Sequence, residues 1–222
     1  KYYANISSYS IRKPYKVAKF RFKNDYLHKR LKKEPKHSKL EMYGDEEEHL
    51  KSFFTYSKYS NIHKFFESYQ YQRSEKKFQE LYKFDISKCF ESIYTHSIAW
   101  ALYNKEIVKD NITSSGSTFA GLFDTFMQNM NYGETNGILI GSEFARIFAE
   151  LLLQQIDKMV YEELLVEKTY HKKDYELFRY VDDYFLFYDD EKTRDKILSL
   201  YKHNLKKFNL HISDSKSQLY KK

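Results

Sequence analysis

The chain has 222 residues, 41% hydrophobic and 18% aromatic, so it can fill the core of one or two domains and is not disordered. Its 38 Lys and Arg against 31 Asp and Glu give a formal charge of +7, which favours a polyanionic partner. The single Cys excludes internal disulfides and Cys-based zinc sites. The low counts of Gly, six, and Pro, two, disfavour an all-β fold. Because no apolar stretch of about 18 residues exists to cross a bilayer, we expect a cytoplasmic protein without membrane contact.

The N-terminal part of the chain is strongly basic between residues 12 and 39. This stretch carries twelve Lys or Arg against Asp25 and Glu34, so it holds a charge of +10 and leaves −3 for the rest. Apolar and polar residues alternate over residues 15–22, and Asn24–Asp25 can form a turn, so the pattern predicts a basic hairpin. A solvated, lysine-rich face is the alternative explanation.

The rest of the chain alternates between helical and strand-like patterns. Apolar residues recurring every three or four positions predict helices over residues 46–79, 96–108, 119–130, 142–165 and 192–208. Short β-rich runs predict strands at residues 81–86, 177–181, 184–188 and 210–212, with a polar loop at 111–116. The expected fold class is therefore α+β, a small antiparallel sheet with helices packed on one face.

The most distinctive local pattern is Tyr180-Val-Asp-Asp183, which lies between two apolar strands. It predicts a β-hairpin with a two-residue turn formed by Asp182 and Asp183. Adjacent carboxylates repel each other there unless cations neutralise them, so the pair favours a divalent-metal site. An exposed Asp-Asp turn in an ordinary hairpin needs no metal, and for the pair alone this alternative stays open.

A third carboxylate, Asp85, ends the predicted strand at residues 81–86. By itself it would usually be a helix N-cap, with Ser87 and Ser92 as rivals for that role. Three carboxylates on the ends of neighbouring strands can, however, hold two Mg²⁺ ions about 3.5–4 Å apart, which stabilises an in-line phosphoryl transfer. The combination of Asp85 with the Asp pair therefore predicts a two-metal site.

Together these motifs resemble the palm of a reverse transcriptase. Tyr-x-Asp-Asp is preceded by Phe-Asp-Ile-x-x-x-Phe at residues 84–90 and by a Gly-containing turn into a long helix. Residues 90–102 and 135–150 are similar to those of bacterial antiviral reverse transcriptases of the defence-associated and abortive-infection groups. The resemblance covers residues 81–216. It implies a right-hand polymerase, with a fingers-like basic and helical region at residues 1–80 and a palm carrying the catalytic hairpin at residues 81–222.

The resemblance also implies roles for residues of the metal site. Asp85, Asp182 and Asp183, with the backbone carbonyl of Ile86, would bind two Mg²⁺ ions, or Mn²⁺. Lys216 would protonate the departing pyrophosphate, and the alternative is an ordinary surface lysine. Because only six residues follow Lys216, we expect the thumb to be missing or very short.

Three further residues are expected to contact the incoming nucleotide. Phe90 would exclude a ribose 2′-OH and so select deoxynucleotides, unless it is simply a core aromatic. Gly141 would let the backbone approach the nascent base pair. Arg146 would face the nucleic acid or pair with Glu150 one turn later. Leu139-Ile140 departs from the Pro-Gln or Pro-Ile common in the family, so we expect weaker positioning of a template.

The function that the resemblance implies is an RNA-directed or weakly templated DNA polymerase in bacterial anti-phage defence. Its partners would be deoxynucleoside triphosphates, an RNA template or noncoding RNA, the DNA product, and a second polymerase subunit or a self-oligomer. A retron or group II intron enzyme, and a catalytically silent RNA-binding palm domain, remain as alternatives. Because the sequence begins with Lys1 rather than Met, we expect it to be part of a longer protein.

Overall fold

The computed structural model describes residues 7–17, 54–59 and 61–222. Residues 18–39, with the predicted turn at Asn24–Asp25, and residues 46–53 of the first predicted helix lie outside this part of the chain. In chain order the described elements are β1 (Arg12–Val17), β2 (Phe54–Lys58), α1 (Ile62–Phe66), α2 (Tyr69–Lys77), β3 (Glu80–Asp85), α3 (Cys89–Ser92), α4 (Ser97–Tyr103), α5 (Lys105–Asp110), α6 (Ile112–Ser115), α7 (Phe119–Met130), α8 (Glu143–Val166), β4 (Tyr175–Tyr180), β5 (Asp183–Tyr188), α9 (Glu191–Lys206) and β6 (Gln218–Lys221).

The main sheet has four antiparallel strands in the spatial order β4-β5-β3-β6. Its central pair is β3 and β5, whose register runs from Glu80 opposite Tyr188 to Asp85 opposite Asp183. The hairpin β4–β5 matches the two strands that the sequence predicts at residues 177–188. The sheet and its surrounding helices confirm the expected α+β class.

Both faces of this sheet are apolar, because side chains alternate along each strand. Tyr184, Leu186 and Tyr188 of β5 belong to a large core cluster shared with α4, α7, α8 and α9. Phe185 and Phe187 belong to a second group on the opposite face, the aromatic cluster, whose buried members are Ile11, Phe65, Tyr71, Phe78, Leu81, Phe178, Phe185 and Phe187. The large helices thus cover one face as predicted, and the short helices α1 and α2 add a layer on the other.

Helix α8 forms the centre of the large cluster, where it packs against α4 and α9. The sequence predicts this helix at residues 142–165, within one residue of its observed bounds. Its buried side is apolar for most of its length, but it also contains the carboxylates Glu150 and Asp157. Buried carboxylates require partners, and both bind Arg179 of the β4–β5 hairpin.

The C-terminal strand differs from the sequence prediction. Residues 210–212, predicted as a strand, contribute one isolated bridge between Ile86 and Ile212, because the chain crosses β3 only where that strand ends. The strand next to β3 is instead β6, which the sequence analysis does not predict. Its four side chains are exposed, so it lacks the buried alternating pattern by which strands are recognised.

A second, two-stranded sheet is formed by β1 and β2. Residues 54–58 of β2 fall within the predicted helix at residues 46–79, and there the prediction is wrong. Phe53 and Phe54 fit a helical period, but pairing with β1, about forty residues earlier, decides the structure locally. The helical prediction holds for α1 and α2.

Two further corrections concern the region after β3. The single helix predicted at residues 96–108 is divided into α4 and α5 at Asn104, whose φ of +78° ends one helix. The Asn104 side chain then accepts a hydrogen bond from the Glu106 amide and caps the next. The segment predicted as a loop at residues 111–116 contains the short helix α6.

The segment of residues 7–11 lies along the outer edge of β4. The Arg179 amide donates to the Tyr9 carbonyl at 2.8 Å, and the Ile11 amide donates to the Arg179 carbonyl at 2.9 Å. Because Ile11 is followed directly by β1, this segment joins the two-stranded sheet to the edge of the main sheet. None of the described helices is both long and apolar enough to cross a membrane.

Candidate active site

Asp85 and Asp183 lie side by side at one end of the main sheet. They are direct cross-strand partners, the last residue of β3 and the first of β5. Partners of this kind have Cβ atoms about 4.5–5.5 Å apart and point to the same face. That face is the one covered by the aromatic cluster, since Asp183 alternates in phase with Phe185 and Phe187. The register alone therefore brings together two of the predicted carboxylates.

Asp182 lies in the hairpin turn next to this pair. The last β4–β5 pair is Tyr180 with Asp183, so the two-residue turn consists of Val181 and Asp182. The sequence prediction, which places the turn at Asp182 and Asp183, is off by one residue, and Asp183 belongs to the strand. The Ile86 amide donates to the Asp182 carbonyl at 3.3 Å and holds the turn against the end of β3.

The turn has a strained backbone, because Val181 has a φ of +59°. A β-branched residue rarely adopts this left-handed conformation, although a two-residue hairpin turn commonly requires it. Strain of this kind persists only where surrounding contacts enforce it. The Val181 carbonyl accepts a hydrogen bond at 2.9 Å from the buried Arg179 guanidinium, which is such a contact.

Burial and mutual repulsion make the carboxylates hard to ionise together. Burial, followed by the neighbouring charges of Asp182 and Asp85, raises the pKa of Asp183 to about 6. The pKa of Asp182 is also raised, first by burial and then by Asp85. Lys216 lowers both values. A further cation at this site would therefore be bound favourably.

Lys216 contacts the candidate site directly. Its Nζ donates to Asp85 Oδ2 at 2.6 Å, and this hydrogen bond is the main reason that the pKa of Lys216 is raised. Two backbone hydrogen bonds hold the preceding segment beside the end of β3, from Ser213 N to Asp85 O at 2.9 Å and from Ser87 N to His211 O at 2.8 Å. The predicted lysine is thus beside the predicted metal ligand.

The chemistry of these residues fits a divalent cation. Asp85 Oδ1 is buried and accepts no hydrogen bond within the described part of the chain, although a buried carboxylate oxygen normally has a partner. Across residues 7–17, 54–59 and 61–222, however, no three His, Cys, Asp or Glu side chains are already grouped to hold a metal. The other oxygen of Asp85, Oδ2, is taken by the ion pair with Lys216.

Phe90 and the turn before α8 lie next to one another. Phe90 is half-buried on α3 and packs against the large cluster, and its carbonyl accepts from the Ile138 amide at 2.8 Å. Gly141 has a φ of +99°, and no atom of the described residues lies within 4 Å of where its Cβ would be. Leu139 and Ile140 are 47% and 66% exposed. This turn therefore presents an open backbone and an apolar surface.

Gly137 is a residue that the sequence analysis does not identify. It has a φ of +83°, and a Cβ there would lie 3.1 Å from the Glu91 carbonyl oxygen. Its amide donates to the Ile93 carbonyl at 2.9 Å, so the turn is attached to the segment that carries Phe90. A glycine just before the Leu-Ile pair is the available sequence signal.

The sequence analysis gives an ion pair between Arg146 and Glu150 as one alternative, and the structure does not contain this pair. Arg146 is exposed on α8, whereas Glu150 is buried and binds the guanidinium of Arg179. One turn earlier on α8, Glu143 accepts from the Tyr56 hydroxyl at 2.9 Å. The exposed side of α8 near its N-terminus therefore faces the two-stranded sheet.

Arg12 is a second residue without a sequence signal for its position. Its guanidinium carbon lies 4.2 Å from the ring centre of Tyr56 and 5.6 Å from that of Tyr180, the first residue of the Tyr-x-Asp-Asp motif. Such distances indicate cation–π contacts. A cation from the basic N-terminal stretch thus contacts the β4–β5 hairpin.

Comparison with known proteins identifies the family. The family model described as "Reverse transcriptase (RNA-dependent DNA polymerase)" matches residues 11–222. Solved structures of telomerase from Candida tropicalis, without its C-terminal domain, and from Candida albicans, with the TWJ fragment of telomeric RNA, are both 15% identical with TM-scores of 0.46. They cover 68% and 65% of this chain, which spans 32% and 28% of theirs.

No curated protein matches the chain. The chain spans about a third of the length of the solved structures that it matches. The family model, in contrast, extends from the segment on the edge of β4 through the hairpin to β6. This chain, with its antiparallel palm sheet, belongs to the reverse transcriptase family.

Proposed function

We propose that this protein is a DNA polymerase of reverse-transcriptase type that adds deoxynucleotides to a 3′ end, acts in the bacterial cytoplasm and serves in defence against phage. The observation that carries the polymerase proposal is the position of Asp85 and Asp183 as cross-strand partners, with Asp182 in the adjoining turn. Reverse transcriptases generally use divalent metal ions. The defence role rests on the similarity of residues 90–102 and 135–150 to antiviral enzymes.

The residues that would hold the ions are Asp85, Asp182, Asp183 and the Ile86 carbonyl, and the ions would be Mg²⁺ or Mn²⁺. Two bound cations would stabilise the attacking and leaving oxygens of an in-line phosphoryl transfer. The buried Asp85 oxygen without a hydrogen bond and the raised pKa values of Asp182 and Asp183 support this assignment. Lys216 would leave Asp85 as cations bind and donate a proton to the departing pyrophosphate.

Substrate binding would involve both parts of the chain. Residues 1–80 would act as fingers, with the basic stretch of residues 12–39 contacting phosphates, and residues 81–222 would act as the palm. Phe90 would pack under the sugar and exclude a 2′-OH. Gly141 and Arg146 would face the nascent base pair and the nucleic acid. The partners would be an RNA template or a noncoding RNA, the DNA product, deoxynucleoside triphosphates, and a second subunit or a self-oligomer.

The exposed Leu139 and Ile140 support a weakly templated mode of synthesis. These side chains can pack on a base or a ribose but offer no hydrogen bond to a template strand. We expect products of restricted sequence that depend little on an added template. Supplying varied synthetic templates with all four deoxynucleotides and sequencing the products tests this, and faithful copying of every template would contradict it.

The decisive experiment measures incorporation of labelled deoxynucleotides with Mg²⁺ or Mn²⁺. Asp85→Asn and Asp182→Asn should each lower it by about 1000-fold, because metal coordination contributes several kcal/mol to the transition state. Asp195→Asn, which changes an exposed carboxylate on α9, is the matched control and should be fully active. Near wild-type incorporation by both site variants would overturn the metal site, whereas no incorporation by the wild type would support the alternative of a catalytically silent RNA-binding palm.

A further inference from the structure

A fully buried arginine lies beneath the catalytic turn. Arg179, on β4, is 0% exposed and is held by two carboxylates of helix α8. Its Nη1 and Nη2 donate to Glu150 at 2.7 and 3.2 Å, and its Nε donates to Asp157 at 2.8 Å. A planar guanidinium bound on two edges has a fixed orientation, which a lysine ammonium could not have.

The same guanidinium also contacts the turn. Nη1 donates to the Val181 carbonyl at 2.9 Å, two residues along the chain from Arg179 itself. Val181 is the residue with the left-handed φ of +59°, and Asp182 follows it. Rotating the Val181–Asp182 peptide away from Arg179 would break this hydrogen bond, and in the next peptide the Asp182 carbonyl accepts from the Ile86 amide. Arg179 thus secures one side of the turn and β3 secures the other.

The carboxylates that hold Arg179 are themselves fixed by further donors. Glu150 accepts from Ser10 Oγ at 2.5 Å and from Gln154 Nε2 at 2.9 Å. Asp157 accepts from the hydroxyls of Tyr184 at 3.2 Å and Tyr201 at 3.0 Å. Burial holds the pKa values of these two tyrosines well above their usual range, so both remain donors. The network therefore reaches from residue 10 to helix α9 without a gap.

This arrangement exceeds what core stability requires. A buried ion network is seldom more stable than apolar residues of the same volume, so stability alone is weak grounds for it. Its distinctive property is geometric, since it sets a carbonyl of a strained two-residue turn at the end of the sheet. Groups that orient metal ligands from behind typically change metal affinity or activity 10- to 100-fold.

We infer that Arg179 is a positioning residue, which holds the Val181–Asp182 turn so that the Asp182 carboxylate faces Asp85. The metal and rate effects of this inference rest on the proposed function, whereas its effect on the turn does not. Glu150 and Asp157 hold the guanidinium of Arg179, which itself holds the turn. None of the three touches the substrate.

Arg73 of helix α2 provides a control, because it binds a glutamate on the opposite face of β4. Its Nη2 binds the buried Glu176 of β4 at 2.7 Å, and no described contact of Arg73 reaches the turn. Arg179→Lys and Arg73→Lys therefore each replace an arginine that binds a buried glutamate by a lysine. Glu150→Gln is a second variant, which keeps the shape of the network and removes one charge.

Three measurements test the inference. Arg179→Lys and Glu150→Gln should weaken Mn²⁺ binding, measured by electron paramagnetic resonance of the free ion, by about 10- to 100-fold. They should lower kcat by a similar factor with little change in KM for the deoxynucleotide. Amide hydrogen exchange of Ile86, which reports its bond to Asp182, should accelerate. Arg73→Lys should match the wild type in all three.

The outcomes separate this inference from the proposed function. Arg179→Lys and Glu150→Gln variants with wild-type Mn²⁺ affinity, kcat and Ile86 exchange would overturn the positioning role and leave the polymerase proposal intact. Full incorporation by Asp182→Asn would overturn the metal site, while faster Ile86 exchange in Glu150→Gln would still support the hold on the turn. If Arg179→Lys does not fold, Glu150→Gln alone decides between these results.

Discussion

Phe90 is the residue on which sugar selection depends in the proposed mechanism. It lies on α3, five positions after Asp85, half-buried against the large cluster. If its ring packs under the incoming sugar, Phe90→Val should admit ribonucleotides, because the 2′-OH no longer meets the ring. The measurement compares kcat/KM for a deoxynucleotide and its ribonucleotide in both proteins.

The control for this substitution is Phe123→Val, which removes an aromatic side chain of the same cluster from helix α7. It should lower stability without altering the preference for deoxynucleotides. Equal use of both sugars by the wild type would contradict the role of Phe90 and favour an RNA polymerase.

Asp183 should make the stability of the metal-free protein depend on pH. Its pKa is raised from 3.8 to about 6, so the folded state binds the proton more tightly than the unfolded chain does. The contribution of Asp183 to the free energy of unfolding is therefore present at low pH and is lost as the pH rises from about 4 to 6. Asp183→Asn should show a shallower loss of unfolding free energy over this range, measured with urea in EDTA.

Asp195→Asn serves as the comparison here too, because Asp195 is exposed on α9 and paired with Arg194. Its pH dependence should follow the wild type. The explanation fails if Asp183→Asn and the wild type lose stability with the same slope. Added Mg²⁺ should remove most of the difference, since a bound cation relieves the repulsion that raises the pKa.

At the residue scale the sequence indicates which carboxylates lie together, but not which residues support them. Asp85, Asp182 and Asp183 are recognisable because each is attached to a short motif. The partner of Glu150 cannot be recognised from a motif, because local spacing suggests Arg146 whereas the structure pairs Glu150 with Arg179. The sequence does contain one signal for a buried cationic partner, since Glu150 and Asp157 are seven residues apart on the apolar side of one helix.

Among the elements, the turn before α8 is constrained by its neighbours at Gly137. Gly137 and Gly133 have nearly equal φ values, +83° and +82°, but only at Gly137 would a Cβ meet backbone, 3.1 Å from Glu91 O. Gly137→Ala should therefore cost at least about 1 kcal/mol more than Gly133→Ala, because both share the strain and one adds a close contact. Urea unfolding of the two variants measures the difference.

Gly133→Ala is the matched control for strain alone and should retain incorporation. Gly137→Ala should also reduce incorporation, since Leu139 to Gly141 would shift relative to Phe90. Equal stability losses in the two variants would show that the Glu91 carbonyl moves aside without cost.

Elements stabilised by local signals are predicted from the sequence, and those that depend on distant pairing are not. Helix α7 is predicted at its observed bounds, and Thr118 caps it by accepting from the Gly121 amide. The β4–β5 hairpin is recognisable from its alternation. Strand β2 and strand β6 are not, because their partners β1 and β3 lie far away along the chain.

The whole molecule has an uneven charge, which should govern its binding to nucleic acid. Residues 12–39 carry a charge of +10, whereas the whole chain carries +7. Arg12, at the start of this stretch, lies beside Tyr180. Replacing Lys29, Lys32 and Lys33 with Gln should weaken binding and flatten the slope of log K against log salt by about 0.7–0.9 per lost contact. Fluorescence anisotropy over a range of salt concentrations measures this slope.

The control for charge is the same number of lysines on helix α9. Lys192, Lys202 and Lys206 are exposed there, and their replacement with Gln changes the net charge equally. This control should leave the slope unchanged, because α9 lies on the face of the sheet away from Asp183. An unchanged slope in the first variant would assign residues 12–39 to a solvated face.

The segment of residues 7–11 has a consequence for how the protein is made. Tyr9 is fully buried, and its hydroxyl bonds to that of Tyr175, 166 residues later. During translation at about 5–20 residues per second, this segment leaves the ribosome roughly 10–30 s before its partner strand exists. For that interval a buried tyrosine and the edge-pairing backbone are exposed on the nascent chain. This segment is therefore synthesised well before it can dock, and the yield of folded protein should depend on chaperones that cover it meanwhile.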